Sequence, residues 1–433
     1  MDSVTTIVVT ASLAYMIMLY VRSRRRPPTV IDTPDGLLFV VLIPCLNEEL
    51  VIGRSLERLA AIPNDNVIAY VIDDGSDDST SDIVRTHAAS RVRSHAGDRV
   101  RLLRRDPPEA RQGKGEALNA AYRHVLTSDL LEDRRPEDVV IVILDADGRI
   151  EPNAFVQVAP YFRDPRVAAV QIGVRMYNAE DSLLARMQDL EFVTFTEIFQ
   201  RGRQRLGSVG LGGNGQFARL SALASLGEAP WTDCLTEDLD LGLRLWARGF
   251  TNAFCPATHV NQQAVTDLRR LVRQRARWFQ GHLQCWQRIP LVLRARRPFG
   301  TRADLVQHLL SPLLLLLMTF PIAAFAVGFV AVAITDPGGL GHNLVAHNGL
   351  LIAIWYLLAF GMAPAYAYVY WLRTPGMSFV RALGYAHLFT VYSYQWLFAG
   401  WWAVFNIARR RRGWAKTTRT ADTAPVQPTQ APS

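Results

Sequence analysis

Apolar residues along the first third of the chain fall in short unbroken runs separated by polar, turn-rich stretches. Leu37 to Pro44 reads Leu-Leu-Phe-Val-Val-Leu-Ile-Pro, the pattern of a strand buried on both faces. Val67 to Ile72, Arg99 to Leu103 and Val139 to Leu144 are the next three predicted strands. Between them lie helical patterns: one opening at Asn47-Glu48-Glu49 and running to about Ala60, with its acidic residues in the first turn, and one from Ser79 to Ala89. A third, Glu116 to Thr127, follows a tight Gly113-Lys114-Gly115 turn. Strands alternating with helices predict an α/β fold with a doubly wound, mostly parallel sheet. Ligands of such sheets bind beyond the carboxyl ends of the strands.

Farther along, Leu183, Leu184, Met187, Leu190, Val193 and Phe199 recur at helical spacing between Ser182 and Arg203. That helix fits equally a face packed on the sheet or one lying on a membrane. Leu268 to Trp286 mixes five arginines with Leu271, Val272, Trp278, Phe279 and Trp286, and is expected at a membrane interface. Membrane-length apolar stretches follow at about Leu305–Ile334 and Leu350–Leu372. A third, Leu383–Ile407, is aromatic throughout: either it lies along the interface or bends back, or it spans and puts Arg409 to Arg412 outside against the positive-inside rule. Thr5 to Val21 reads as an uncleaved anchor: no positive charge precedes it, and Arg22, Arg24, Arg25 and Arg26 follow it. The expected organisation is an N-terminal anchor (1–26), a cytosolic domain (27–265), interfacial helices (266–303), a membrane region (304–412) and a largely disordered tail (413–433).

Composition agrees with a soluble domain joined to membrane helices: 49% apolar and 20% charged over 433 residues, with room for one domain of about 250 residues. The net charge of +8 sits largely in arginine clusters flanking apolar segments, which points to anionic lipid rather than nucleic acid. Four scattered cysteines without paired spacing imply a reduced compartment, with neither a zinc site nor a disulfide frame.

Three carboxylate clusters carry the candidate chemistry. Asp145-Ala146-Asp147 ends a predicted buried strand, where two repelling carboxylates gain from a shared divalent cation that also bridges to a diphosphate. Asp73-Asp74-Gly75-Ser76 ends another; either aspartate would accept hydrogen bonds from a base or ribose, and the same residues also suit a plain turn. Thr236-Glu237-Asp238 opens a helix, so it reads either as a cap or as a base within reach of a hydroxyl. In Gln274-Arg275-Ala276-Arg277-Trp278, Arg277 suits phosphate and Trp278 suits a sugar face, although a lipid-binding helix has the same composition. Lys114 offers a charge for phosphate, and Gly212 to Phe217 suggests a backbone that closely approaches a ligand. No G-x-G-x-x-G follows the first strand, which speaks against a nicotinamide enzyme.

This ordered set, from about Leu37 to Trp278 and with Gly413-Trp414 near the end, resembles the family-2 membrane glycosyltransferases of the processive polysaccharide-synthase type. The resemblance implies an inverting transfer from a nucleotide-diphosphate sugar, most often a UDP-sugar, with Mg²⁺ or Mn²⁺ as cofactor. It implies donor binding by Asp73, Asp74, Lys114, Asp145, Gln274, Arg277 and Trp278, and metal binding by Asp147 with Asp145. Asp238 would be the general base, and Gly213, Asn214, Glu237 and Trp278 would line the acceptor site. A growing β-linked glycan is the expected acceptor. A membrane lipid is the rival, because the apolar segments are few for a polymer channel, and a silent export subunit is a further one. The expected location is the cell membrane, with the catalytic domain in the cytoplasm and membrane lipids as partners.

Overall fold

The computed structural model describes residues 3–24, 36–89, 99–345 and 349–409. The expected tail, with Gly413-Trp414, lies outside the described residues. Eight strands form one sheet: β1 (Leu38–Cys45), β2 (Val67–Asp73), β3 (Val100–Arg104), β4 (Val139–Ile143), β5 (Arg149–Ile150), β6 (Val167–Met176), β7 (Gln216–Arg219) and β8 (Thr251–Gln262). Their order is β3-β2-β1-β4-β7-β6-β8-β5.

β3, β2, β1 and β4 are parallel, as the alternation of strands and helices predicts. Phe39, Val41 and Ile43 face one core, where Phe39 meets Phe155 and Phe217 edge-on. Leu38, Val40 and Leu42 face the other, against Leu118, Tyr122, Leu241 and Leu245. Each such side chain contributes about 1.5–3 kcal/mol on burial. The sheet as a whole is mixed rather than mostly parallel. The helical excursion after β6, Leu183 to Leu206, returns the chain to the edge where β6 ended, so β7 runs back antiparallel between β4 and β6. That reversal puts the Gly212–Gly215 loop beside the end of β4, and Gly215 N–H donates to the Ile143 carbonyl.

The first helix is shorter than its acidic start suggests. It spans Ile52–Ala60, because Asn47 takes a left-handed conformation (φ 54°) and the loop after β1 is tied to the loop after β2. There Asn47 N–H donates to Ser76 Oγ and Glu48 N–H to Thr80 Oγ1. Lys114, expected in a turn, occupies the first turn of helix Lys114–Leu126.

Among the described residues, Phe299–Thr335 and Ile352–Arg373 are long and apolar enough to cross a membrane. Phe320, Phe325, Val327 and Ile334 leave a broad apolar surface exposed on the first. The third apolar stretch breaks at Tyr394 into helices Phe379–Ser393 and Gln395–Ala408. The latter packs on helix Leu268–Gln284, so closely that a Cβ on Gly400 would meet Phe279 Cε2 at 3.0 Å. The N-terminal apolar helix Ser3–Ser23 packs through Leu19 on Gly202 and through Tyr15, whose hydroxyl donates to Asp304 at 2.7 Å.

Candidate active site

A cavity of about 710 Å³ opens where the carboxyl ends of β1, β2 and β4 meet the Gly212–Gly215 loop. Asp74, Lys114, Asp145, Gly213, Asn214, Glu237, Asp238, Gln274, Arg277 and Trp278 all line it. Asp73 and Asp147 do not. Asp73 is fully buried and serves the turn, accepting from Ser76 N–H at 2.9 Å, from Ser81 Oγ and from Arg104 Nη1 at 2.7 Å. Burial would raise its pKa, but these bonds and the Arg104 charge outweigh that and hold the carboxyl below its usual range. Asp74 lines the cavity, paired with Arg105 at 2.6 Å, and burial holds its carboxyl above the usual range against that arginine. Asp147 lies behind the wall, where its Oδ2 accepts from Gln263 N–H at 3.1 Å.

Lys114 is the hub of the polar end. Its Nζ donates to Asp145 Oδ1 at 2.7 Å and to the Gly213 carbonyl at 2.8 Å, and lies 3.8 Å from Glu237. Burial would lower its pKa, yet Asp145, Glu237 and Asp238 together raise it, so the ammonium is firmly charged. Asn214 Oδ1 accepts from Asp145 N–H at 3.2 Å. Gly213 passes close to this cluster: a Cβ there would lie 3.1 Å from Lys114 Nζ and 3.2 Å from Asp238 Oδ2, so both side chains would have to give way.

Thr236 precedes helix Glu237–Ala247 but makes no side-chain cap. Its backbone is pressed against Gly281 of the box helix, where a Cβ would meet Thr236 N at 2.6 Å. Asp238 Oδ1 accepts from Leu239 N–H at 2.7 Å. Burial, and then the Glu237 charge, push its carboxyl up to about 7, the range in which a general base works near neutrality.

The box helix, Leu268–Gln284, is capped by Asp267, whose side chain accepts from Arg270 N–H at 2.8 Å. Arg275, to which the sequence assigned no role, is fully buried beneath Trp278, with its guanidinium 4.1 Å from the indole. It pairs with Glu191 at 2.6 Å. Glu191 also accepts from Tyr392 Oη at 2.7 Å and Trp396 Nε1 at 2.9 Å. Glu191 lies about two hundred residues from Tyr392 and Trp396, and only their polarity within apolar stretches could have marked them. Cys234 and Cys285, 51 residues apart, meet with their Sγ atoms at 3.6 Å and are free thiols.

Among the described residues, no three His, Cys, Asp or Glu side chains gather as a self-sufficient metal site. Asp145 at the wall with Asp147 behind it is a two-carboxylate donor set, which suits a cation completed by diphosphate oxygens.

Carboxylates and a charged lysine converge here at the carboxyl edge of a mixed α/β sheet, where ligands of such sheets bind. The pattern of the family described as "Glycosyltransferase like family 2" matches residues 34–281, and the chain belongs to that family. Among its relatives is β-monoglucosyldiacylglycerol synthase of Trichormus variabilis, 32% identical over 311 residues, which are 68% of this chain and 60% of that protein. Poly-β-1,6-N-acetyl-D-glucosamine synthase of Staphylococcus aureus is 25% identical over 260 residues, 59% of this chain and 57% of that one. The chain thus spans somewhat more than half the length of these relatives. A mannosyltransferase from Pyrobaculum calidifontis, solved with GDP-Man and Mn²⁺, shares the fold at a TM-score of 0.58. It is 18% identical, over 88% of this chain and 97% of that one.

Proposed function

We propose that the protein is an inverting glycosyltransferase seated in the cell membrane, moving a hexose from a UDP-sugar to a hydroxyl of a membrane lipid. The observation that carries this reading is the lining of the cavity. One cavity is lined both by Asp74, Asp145 and Asp238 and by Ser311, Pro312, Leu315, Ser393 and Trp396 on the apolar helices. A lipid hydroxyl entering from those helices reaches Asp238 without leaving protein. The 32% identity to a glucosyldiacylglycerol synthase supports the lipid. A growing β-linked polysaccharide is the second reading, favoured by the relative that makes poly-N-acetylglucosamine.

On this reading Asp74 takes the nucleoside, while Lys114 and Arg277 face the diphosphate, with Gln274 beside them. Asp145 and Asp147 would hold Mg²⁺ or Mn²⁺, which when bound neutralises charge on the diphosphate. Trp278 stacks on the sugar, held flat by the Arg275 cation beneath it. Gly213, Asn214 and Glu237 border the acceptor hydroxyl. As that oxygen attacks the anomeric carbon and the bond to the diphosphate breaks, Asp238 takes the hydroxyl proton. Attack from the face opposite the leaving group gives inversion. The test is to incubate the full-length protein with UDP-glucose and mixed micelles containing diacylglycerol, then separate organic-soluble from water-soluble product. Sugar found only in a water-soluble polymer would refute the lipid reading.

A further inference from the structure

Helix Phe299–Thr335 turns two faces to two different cavities. His308, Ser311, Pro312 and Leu315 line the active-site cavity. At about 100° per residue, Phe299, Arg302, Val306, Leu310 and Leu314 fall on the opposite side. There, with Leu293 of the short helix Ile289–Arg294, they line a separate groove of about 520 Å³. Such a volume lies within the roughly 300–1,000 Å³ that holds small ligands.

The groove is polarised along the helix. From Arg302 to Leu314 it covers about 18 Å, close to the roughly 15 Å of hydrocarbon in one leaflet. Its far end is leucine. Its near end lies at the helix start beside the sheet domain, where Thr301 Oγ1 donates to the Leu206 carbonyl at 2.6 Å. Positive charge collects at that end. Arg302 lines the groove and donates through Nη1 to the Leu293 carbonyl at 2.9 Å. Leu293 and Phe299 both line it, so the segment between them, with exposed Arg294 and Arg296, closes that end.

Among the described residues, no carboxylate pairs with these three arginines. The helix has no acidic residue in its first turn and no side-chain cap, and its one acid, Asp304, is taken by Arg203 at 3.3 Å. An open helix start and unmatched guanidiniums favour an anion, and a guanidinium fits a phosphodiester bidentately. A zwitterionic headgroup would bring a cation for which this end has no carboxylate.

We propose that this groove seats one anionic phospholipid of the leaflet facing the sheet domain. Its phosphate lies at Arg302 and the Arg294–Arg296 segment, and an acyl chain lies along Val306, Leu310 and Leu314. The phosphate thereby fixes the start of the helix at the headgroup plane. The inference rests on the membrane seat proposed above, and not on which acceptor the enzyme uses.

The full-length protein in neutral detergent is offered dioleoylphosphatidylglycerol or dioleoylphosphatidylcholine, and retained lipid is read by native mass spectrometry. The expected result is one phosphatidylglycerol per chain, bound about tenfold more tightly than phosphatidylcholine. Arg302→Gln should weaken phosphatidylglycerol about tenfold, as for one lost charge-assisted hydrogen bond, and leave phosphatidylcholine binding and the circular-dichroism spectrum unchanged. Ala303→Trp, at an exposed position lining the groove, should exclude both lipids. Equal retention of the two lipids by the native protein would overturn the inference whether or not the variants fold. So would phosphatidylglycerol binding that survives Arg302→Gln or Ala303→Trp intact, or that yields to glycerol 3-phosphate, a headgroup without chains. A native chain that stays dissolved once detergent is removed would instead overturn the membrane seat itself.

Discussion

Asp238 answers two opposed demands, being buried enough to hold a proton near neutrality and close enough to Lys114 to remain ionisable. Asp238→Asn keeps the shape but removes the base, so kcat should fall about 10²- to 10⁴-fold, with UDP affinity by calorimetry unchanged. Because the base must be deprotonated, kcat/KM should rise with pH through an acidic limb near 7, the position of the free-enzyme carboxyl. Glu237 repels the ionised form and so raises that pKa; Glu237→Gln should move the limb to lower pH, which a pH–rate profile reads directly. At this scale the sequence singled out Asp74, Asp145, Asp238, Gln274, Arg277 and Trp278 from their motifs alone, and all of them line the cavity. It left Asp73 and Asp74 equivalent, since two adjacent residues at a strand end point to opposite sides and only the fold decides which meets the cavity. Glu191 had no motif at all; its role comes from partners around two hundred residues away.

Helix Leu268–Gln284 joins two parts of the cavity wall, meeting the Thr236 segment through Gly281 and the apolar helix Gln395–Ala408 through Arg275 and Trp396. Gly281→Ala should push the Thr236 segment aside, lowering kcat more than UDP affinity, as steady-state kinetics and calorimetry would register together. Glu191→Gln leaves the Arg275 cation buried without its counter-charge. It should cost about 3–5 kcal/mol, seen by chemical denaturation, and the Glu191→Leu/Arg275→Met double variant should cost less. This helix and the four parallel strands were legible because unbroken or 3.6-residue periodicity is local information. β6, β7 and β8 were not assigned. β7 is four residues long and β8 reads as a polar mixture, and strand order and direction come from pairing with distant segments.

For the whole molecule, a sheet edge rich in carboxylates faces apolar helices with one cavity between them. If Asp145 and Asp147 share a cation with the donor, UDP affinity should drop in a chelator and return on adding Mn²⁺, followed by calorimetry. An affinity indifferent to chelator would remove the cation from the account. The apolar stretches were legible as membrane-length by their composition. The sequence left the last one open between lying along the interface, bending back and spanning, and the packing of its second half against Phe279 follows from tertiary fit.

The packing of Gln395–Ala408 along the box helix bears on how the enzyme can be handled. Trp396 supplies part of the cavity wall and, with Tyr392, steadies the carboxylate that restrains the cation under Trp278. A fragment trimmed to the sheet domain for solubility would discard that wall and leave the indole unsupported. Such a fragment should still recognise nucleotide while losing the ability to present sugar to an acceptor.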